Sequence, residues 1–276
     1  MVRDSIFKDI FARIVSKDCE HNFDNNINFA RMRRDAKVIV TALNLYYDGL
    51  LMRKVSEQVN NIFGENVSQS TIHYWIHKYA TLTKEYVESL TPILSGKYHH
   101  DETELKVNED GRYFWQTLDE DTRYIVAHLL TSDRTRENAI KVFQQALRKE
   151  RPKVLFTDGS YSYDEAFRKV YFTRYKENRV QWVRRVGIRA RQTNNIIERA
   201  HSTLKTRGRV FRGLKNDESS RELLDGYVIN YNFCRKHSSI KTTPARKAGL
   251  EIEGWNELIQ QSQIYNTKQE LKVIQK

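Results

Sequence analysis

The feature that most constrains the fold is a change of hydrophobic period near Lys97. Ahead of it, over roughly residues 1 to 90, apolar residues recur at helical spacing, with Val38, Ala42, Leu45 and Tyr46 on one face. Asp48-Gly49 closes that helix, and a second is expected from about Lys54 to Ile62, with Gly64 just past its end. A third follows, with Ser68 or Ser70 as N-cap and Ile72, Trp75, Ile76 and Tyr79 as its apolar stripe. Thr71, His73, Tyr74, His77 and Lys78 fall mostly on the opposite face, so residues 35 to 80 or so read as a helix-turn-helix. From Lys97 the period drops to two, the signature of strands. One strand carries Asp101, Thr103, Leu105 and Val107 on one side; Arg112 to Leu118 and Arg123 to Leu130 follow across two short turns. Arg136 to Lys149 is an amphipathic helix, and Val154 to Thr157, bounded by Pro152 and Gly159, is a short buried strand. From about Arg191 the chain is helical and basic again, with a break near Gly208 to Gly213 and a last short helix starting at Thr243-Pro244. The expectation is an α/β layer between helical ends.

Charge narrows the partners. Lys and Arg outnumber Asp and Glu 47 to 35, a net charge of +12, which favours a polyanion. A lipid surface would attract the same charge, but no apolar run is long enough to span a bilayer and no apolar signal core opens the chain. Nucleic acid is therefore the leading partner, no membrane is expected, and a cytoplasmic, nucleoid-associated location follows. Cys19 and Cys234 are far apart and neither sits in a CxxC pair, so they support no disulfide framework or zinc finger.

Three carboxylates stand out. Phosphodiester exchange needs an activated oxygen nucleophile, a stabilised leaving oxygen and shielding of phosphate charge, which two divalent ions about 3.5 to 4 Å apart can supply. Magnesium favours carboxylate oxygens. Asp101 is a charged residue on an inward strand face, costly unless a cation compensates it; placed just before the strand, it would simply be solvated. Glu102 and Glu104 fall on the other side and read as exposed strand charges. Asp158 ends the buried run, where α/β sheets tend to present functional groups, although Asp158-Gly159 is also an ordinary turn pair. Glu198 shares a helical stripe with Asn194, His201 and Lys205 amid dense basic residues, with which it could equally pair.

Asp101, Asp158 and Glu198, 57 and 40 residues apart, resemble in order and spacing the acidic triad of the DDE transposases and retroviral-type integrases. The words His100-Asp101-Glu102-Thr103, Phe156-Thr157-Asp158-Gly159 and Asn194-Asn195-Ile196-Ile197-Glu198-Arg199-Ala200-His201 look like prokaryotic insertion-sequence transposases, above all the small group that moves by replicative cointegrate formation. The match runs over roughly residues 35 to 250 and includes Tyr231-Asn232-Phe233-Cys234-Arg235-Lys236-His237 with Thr243-Pro244-Ala245. The cysteines for the zinc finger of some relatives are missing.

The resemblance implies a ribonuclease H-like mixed five-stranded sheet flanked by helices, with an all-helical N-terminal domain. The expected division is 1–90 helical with the helix-turn-helix, 91–250 catalytic, and 251–276 a helical tail. It implies that Asp101, Asp158 and Glu198 are catalytic and hold two Mg²⁺, with Mn²⁺ able to substitute. Asn194, Arg199, His201, Lys205 and Arg207 would lie along DNA, while Thr71, His73, Tyr74 and Lys78 would read terminal inverted repeats in the major groove. A homodimer or larger assembly on terminal and target duplexes is expected by analogy. Two rivals remain open: a structure-selective ribonuclease H-like nuclease, and a noncatalytic DNA-binding regulator derived from a transposase.

Overall fold

The computed structural model describes residues 33–108, 110–184, 195–208, 211, 214 and 216–274. Three helices come first: α1 (Ala36–Tyr47), α2 (Met52–Phe63) and α3 (Gln69–Ser89). Asp35 caps α1 by accepting from the Lys37 N–H at 2.8 Å. Nine of the twelve α1 residues are buried, so it is a core helix on nearly every side. Gly64, in the left-handed region at φ 65°, ends α2. Ser68, rather than Ser70, caps α3, its Oγ accepting from Thr71 N–H at 3.2 Å. The stripe Ile72, Trp75, Ile76 and Tyr79 is fully buried.

The sheet follows: β1 (Lys97–Val107), β2 (Asp110–Asp119), β3 (Ile125–Thr131), β4 (Val154–Thr157) and β5 (Gln181–Arg184). Its order is β3-β2-β1-β4-β5, with β1, β2 and β3 antiparallel and β4 and β5 added parallel to β1. That order and those directions make the mixed five-stranded sheet of a ribonuclease H-like core. Helix α4 (Arg136–Lys149) crosses between β3 and β4, and α5 (Tyr161–Tyr171) between β4 and β5. On β1, Asp101, Thr103, Leu105 and Val107 do point inward as the alternation predicts, and Glu104 is exposed. The prediction fails at Glu102, whose side chain is only 5% exposed, because Arg134 and α5 close over that face. Alternation along one strand carries no signal of a later helix lying across it.

The C-terminal part comprises α6 (Asn195–Gly208), α7 (Asp217–Phe233), the short α8 (Pro244–Lys247) and α9 (Gly254–Ile274). Thr243 caps α8 with Pro at its first position. The N-terminal helices pack directly against α7 and α9, and one continuous apolar core runs from Ala36 to Ile259. Tyr47 of α1 stacks on Trp255 of α9 at 5.4 Å between ring centres, and its hydroxyl is pressed onto Gly226 of α7. A Cβ at Gly226 would lie 1.9 Å from Tyr47 Oη and 2.8 Å from its Cζ. Gly226→Ala is therefore expected to destabilise the protein by about 1–3 kcal/mol, although alanine favours helix by roughly 1 kcal/mol over glycine. Thermal unfolding checks this. Adding Tyr47→Phe, which removes an oxygen without a hydrogen-bond partner among the described residues, should recover part of the loss.

Candidate metal-binding carboxylate site

Strand register brings the first two carboxylates together. Parallel pairing of β1 with β4 sets His99 against Phe156, so two residues further along Asp101 comes level with Asp158, where β4 has just ended. Asp158 therefore emerges beyond the carboxyl end of a short buried strand, beside a strand that continues. Its Oδ1 accepts from Ser160 N–H at 2.9 Å, and Arg134 Nη2 donates to its Oδ2 at 3.2 Å.

Glu102 joins them from the other face of β1. Carboxylate oxygens of Asp101, Glu102 and Asp158 all lie within 4.8 Å of one another. Tyr163 Oη donates to Glu102 Oε2 and Arg134 Nε pairs with Oε1, so Arg134 bridges Glu102 and Asp158. Glu102 has a raised pKa: burial raises it, while Tyr163 and Arg134 pull the other way.

Asp101 is the costly member. Its side chain is 21% exposed, and burial, then the charges of Glu102 and Asp158, push its pKa up to about 7. His201 of α6 approaches from the far side, its Nδ1 3.7 Å from Asp101 Oδ2. Burial, then Lys205, lowers the His201 pKa to about 4, so the imidazole is neutral and this contact is not an ion pair. Contrast Asp119, also buried, whose carboxylate accepts from Ser95 N–H and Oγ at 3.0 and 2.7 Å and from Thr122 N–H and Oγ1 at 3.0 and 2.7 Å. Asp119 is satisfied by four hydrogen bonds of the fold; Asp101 is helped by the Glu102 backbone and the charge of Arg134, which do not offset burial and two like charges. Hard oxygen donors gathered around a carboxylate held at such a cost fit a divalent cation such as Mg²⁺.

Glu198 is exposed on the first turn of α6, three residues before His201 on the same side of the helix, and is not among the three gathered acids. Arg199 and Lys205 are exposed on the same helix, whereas Arg207 is half-buried, 3.9 Å from Asp48 of the α1 cap. Asn194 lies outside the described residues. On α3, His73 and Tyr74 are exposed, Thr71 and Lys78 are half-buried, and Lys78 Nζ lies 5.8 Å from the Tyr74 ring centre. His77, the other member of the i, i+4 histidine pair, is turned into the fold: its Nδ1 meets Glu222 Oε2 of α7 at 2.5 Å. Glu102, read from the sequence as an exposed strand charge, shapes the site together with Arg134 and Tyr163, which the sequence left unmarked. Glu102 could have been suspected from its place beside Asp101, but nothing local singles out Arg134 or Tyr163.

Among the described residues no helix is long and apolar enough to cross a membrane.

A ribonuclease H-like sheet with carboxylates converging where β1 passes the end of β4 defines the class of this protein. The model of the DDE domain of IS240-type transposases matches residues 95–237, more than half the chain, and the protein belongs to this family of insertion-sequence DDE transposases. It is 27% identical over 185 residues to an uncharacterized protein of Methanocaldococcus jannaschii, covering 66% of this chain and 78% of that one. Among solved structures it is similar to the HTLV-2 integrase catalytic core domain in complex with magnesium, at 12% identity and a TM-score of 0.44, over 58% of this chain and 99% of that one. A simian T-cell lymphotropic virus intasome chain matches at 14% identity and a TM-score of 0.44, over 74% of this chain and 72% of that one.

Proposed function

We propose that the protein cuts the ends of an insertion-sequence element and joins them to target DNA, with Asp101, Asp158 and Glu198 as its catalytic carboxylates. The observation that carries the reading is the convergence of Asp101 and Asp158, one of them lifted to a pKa of about 7 by burial and like charge. Two Mg²⁺ ions held there, or Mn²⁺ in their place, would supply an activated attacking oxygen and a stabilised leaving 3′-oxygen. The chain's own residues do the rest. Neutral His201 backs Asp101 without neutralising it. Arg134 holds Asp158 through Oδ2 while the Ser160 N–H holds Oδ1, fixing the carboxylate's direction. Arg199 and Lys205 on α6 offset backbone charge beside Glu198, and Thr71, His73, Tyr74 and Lys78 on α3 face the terminal repeat. Two DNA ends must be handled together, so a homodimer or larger assembly on DNA belongs to the proposal.

The experiment pairs labelled duplex carrying the repeat that flanks the gene with a plasmid target, in Mg²⁺ or EDTA. Wild type should nick and join only with the metal, and Asp158→Asn should do neither while keeping its fold. Joining by Asp158→Asn would sink the assignment. Nicking without joining would identify a nuclease, and binding without either, in Mn²⁺ as well, a noncatalytic regulator.

A further inference from the structure

Helix α6 has a second working flank. Its buried stripe is Ile197, Ala200 and Leu204, and His201 faces Asp101. At about 100° per residue, Arg199 is turned a little over a quarter of the way round the axis from Glu198. On that flank Asn195, Arg199 and Ser202 border a cleft of about 620 Å³, closed on its other side by Arg123 and by the hook Arg235-Lys236-His237 that follows α7. No carboxylate is among the residues lining it.

Arg123 and Arg235 are half-buried there and neither has an ion pair among the described residues, although Arg235 lies over the Tyr231 ring, 6.0 Å from its centre. Arg123 Nη1 and Arg235 Nη1 are buried with no hydrogen-bond partner among the described residues, as is His237 Nε2. Lys236 is already paired with Glu253 at 2.8 Å, so the arginines are the cations on offer. Asp48, whose charge acts on Arg235, is paired with Arg207. The segments flanking α6, 185–194 and 209–215, contain six arginines and lysines against no Asp or Glu. Donors buried without partners are expensive, and planar guanidinium forks match phosphate oxygens closely.

We propose that this cleft seats a phosphate group of the DNA, through Arg123 and Arg235 with Arg199 at its rim. The inference rests on the transposase reading for the identity of the polyanion. It adds a binding site on the opposite flank of α6 from Asp101. A strand laid across α6 would meet the carboxylates on one side of the helix and this seat on the other. The phosphate is an internal phosphodiester or a terminal 5′-monophosphate, and the test separates them.

Duplex binding is followed by fluorescence anisotropy in EDTA from low to high salt, so that catalysis plays no part. Arg123→Gln with Arg235→Gln should weaken binding at least tenfold near 100 mM salt and reduce the slope of log K against log salt by roughly 0.9, the contribution of one phosphate contact. Lys268→Gln with Lys272→Gln on exposed turns of α9 removes the same charge and should leave the slope unchanged. Ser239→Glu, at an exposed position near the hook, puts a carboxylate at the seat without touching the core and should weaken binding as well. A loss that appears only with 5′-phosphorylated duplex identifies a terminal phosphate; a loss with either duplex identifies an internal one. If the double arginine variant and Ser239→Glu both behave like the α9 control, the cleft holds only water and the proposal is overturned. Should the slope change appear in a protein that neither cuts nor joins, the seat stands and the transposase reading falls.

Discussion

Replacing Glu198 with Gln is expected to abolish cutting and joining alike, by roughly a thousandfold or more, about 4 kcal/mol of transition-state stabilisation, and to leave thermal stability unchanged. Replacing Glu102 with Gln should do the reverse in kind. The two glutamates differ in what already holds them. Both Glu102 oxygens are engaged, one by Tyr163 and one by Arg134, in a nearly closed environment. Its carboxylate therefore fixes the loop carrying Arg134 and the start of α5 relative to β1. The neutral amide would weaken the ion pair with Arg134, which is itself 39% exposed, so a loss of about 1–2 kcal/mol is expected rather than that of a fully buried pair. Activity of Glu102→Gln should fall tenfold or so through misplacement of Asp158. Glu198 is exposed and has no ion pair among the described residues, so the folded protein does not depend on it. A group that contributes nothing to the fold and sits one turn from the histidine against Asp101 is free to move onto a cation. Single-turnover cleavage and thermal melts of both variants decide the matter. If Glu102→Gln loses all cleavage with its melt intact and Glu198→Gln keeps it, the three acids already gathered on the sheet are the working set and Glu198 is not part of it.

The contrast also shows what local sequence can carry. The switch of period at Lys97 located β1 to β3, and α4 and β4 lie where their patterns predict, because each buries one face over enough residues to leave a period. Strand β5 is four residues, Gln181–Arg184, with no apolar alternation, and could not be read in advance; α5, by contrast, carries a helical stripe, Tyr163, Ala166, Phe167, Val170 and Tyr171, and was legible. The fifth strand was expected from the family resemblance alone. Arg134 meets Asp158 and Glu102 across 24 and 32 residues, and Arg207 turns back to Asp48 instead of outward. Contacts of that range have no signature in spacing. The same holds for Tyr47, Gly226 and Trp255, which join the first helices to the last in one core and leave no mark at residue 90. For the two aspartates the local pattern is suggestive only: a charge on an inward strand face can sit solvated before the strand, a charge at the end of a buried strand can be a turn residue, and it is the family resemblance that singles out both together.

The buried charge at Asp101 has a thermodynamic signature that can be measured without any DNA. Its pKa is raised from 3.8 to about 7 on folding. Below about pH 4 the carboxyl is protonated in both states and costs nothing; between about 4 and 7 the unfolded chain loses this proton while the folded one keeps it, so stability falls as pH rises; above about 7 the full cost is present. At 1.36 kcal/mol per unit the limit is on the order of 4 kcal/mol. Asp101→Asn removes the charge and should therefore be more stable than wild type in EDTA at pH 8, by a few kcal/mol, and about equal to it at pH 4. Taking the difference between the two proteins cancels acids such as Asp225 and Glu253, whose lowered pKa values make their contribution fade toward low pH instead. A cation bound to Asp101 opposes the cost, so Mg²⁺ should raise the wild-type melting temperature at pH 8, do so only weakly at pH 5 where a proton competes, and have little effect on Asp101→Asn at either pH. Thermal melts of the two proteins across this range, with Mg²⁺ and with EDTA, are the measurement. Equal stability of the two proteins at pH 8 in EDTA would show that Asp101 ionises without cost, and would remove the physical reason for placing a cation beside it.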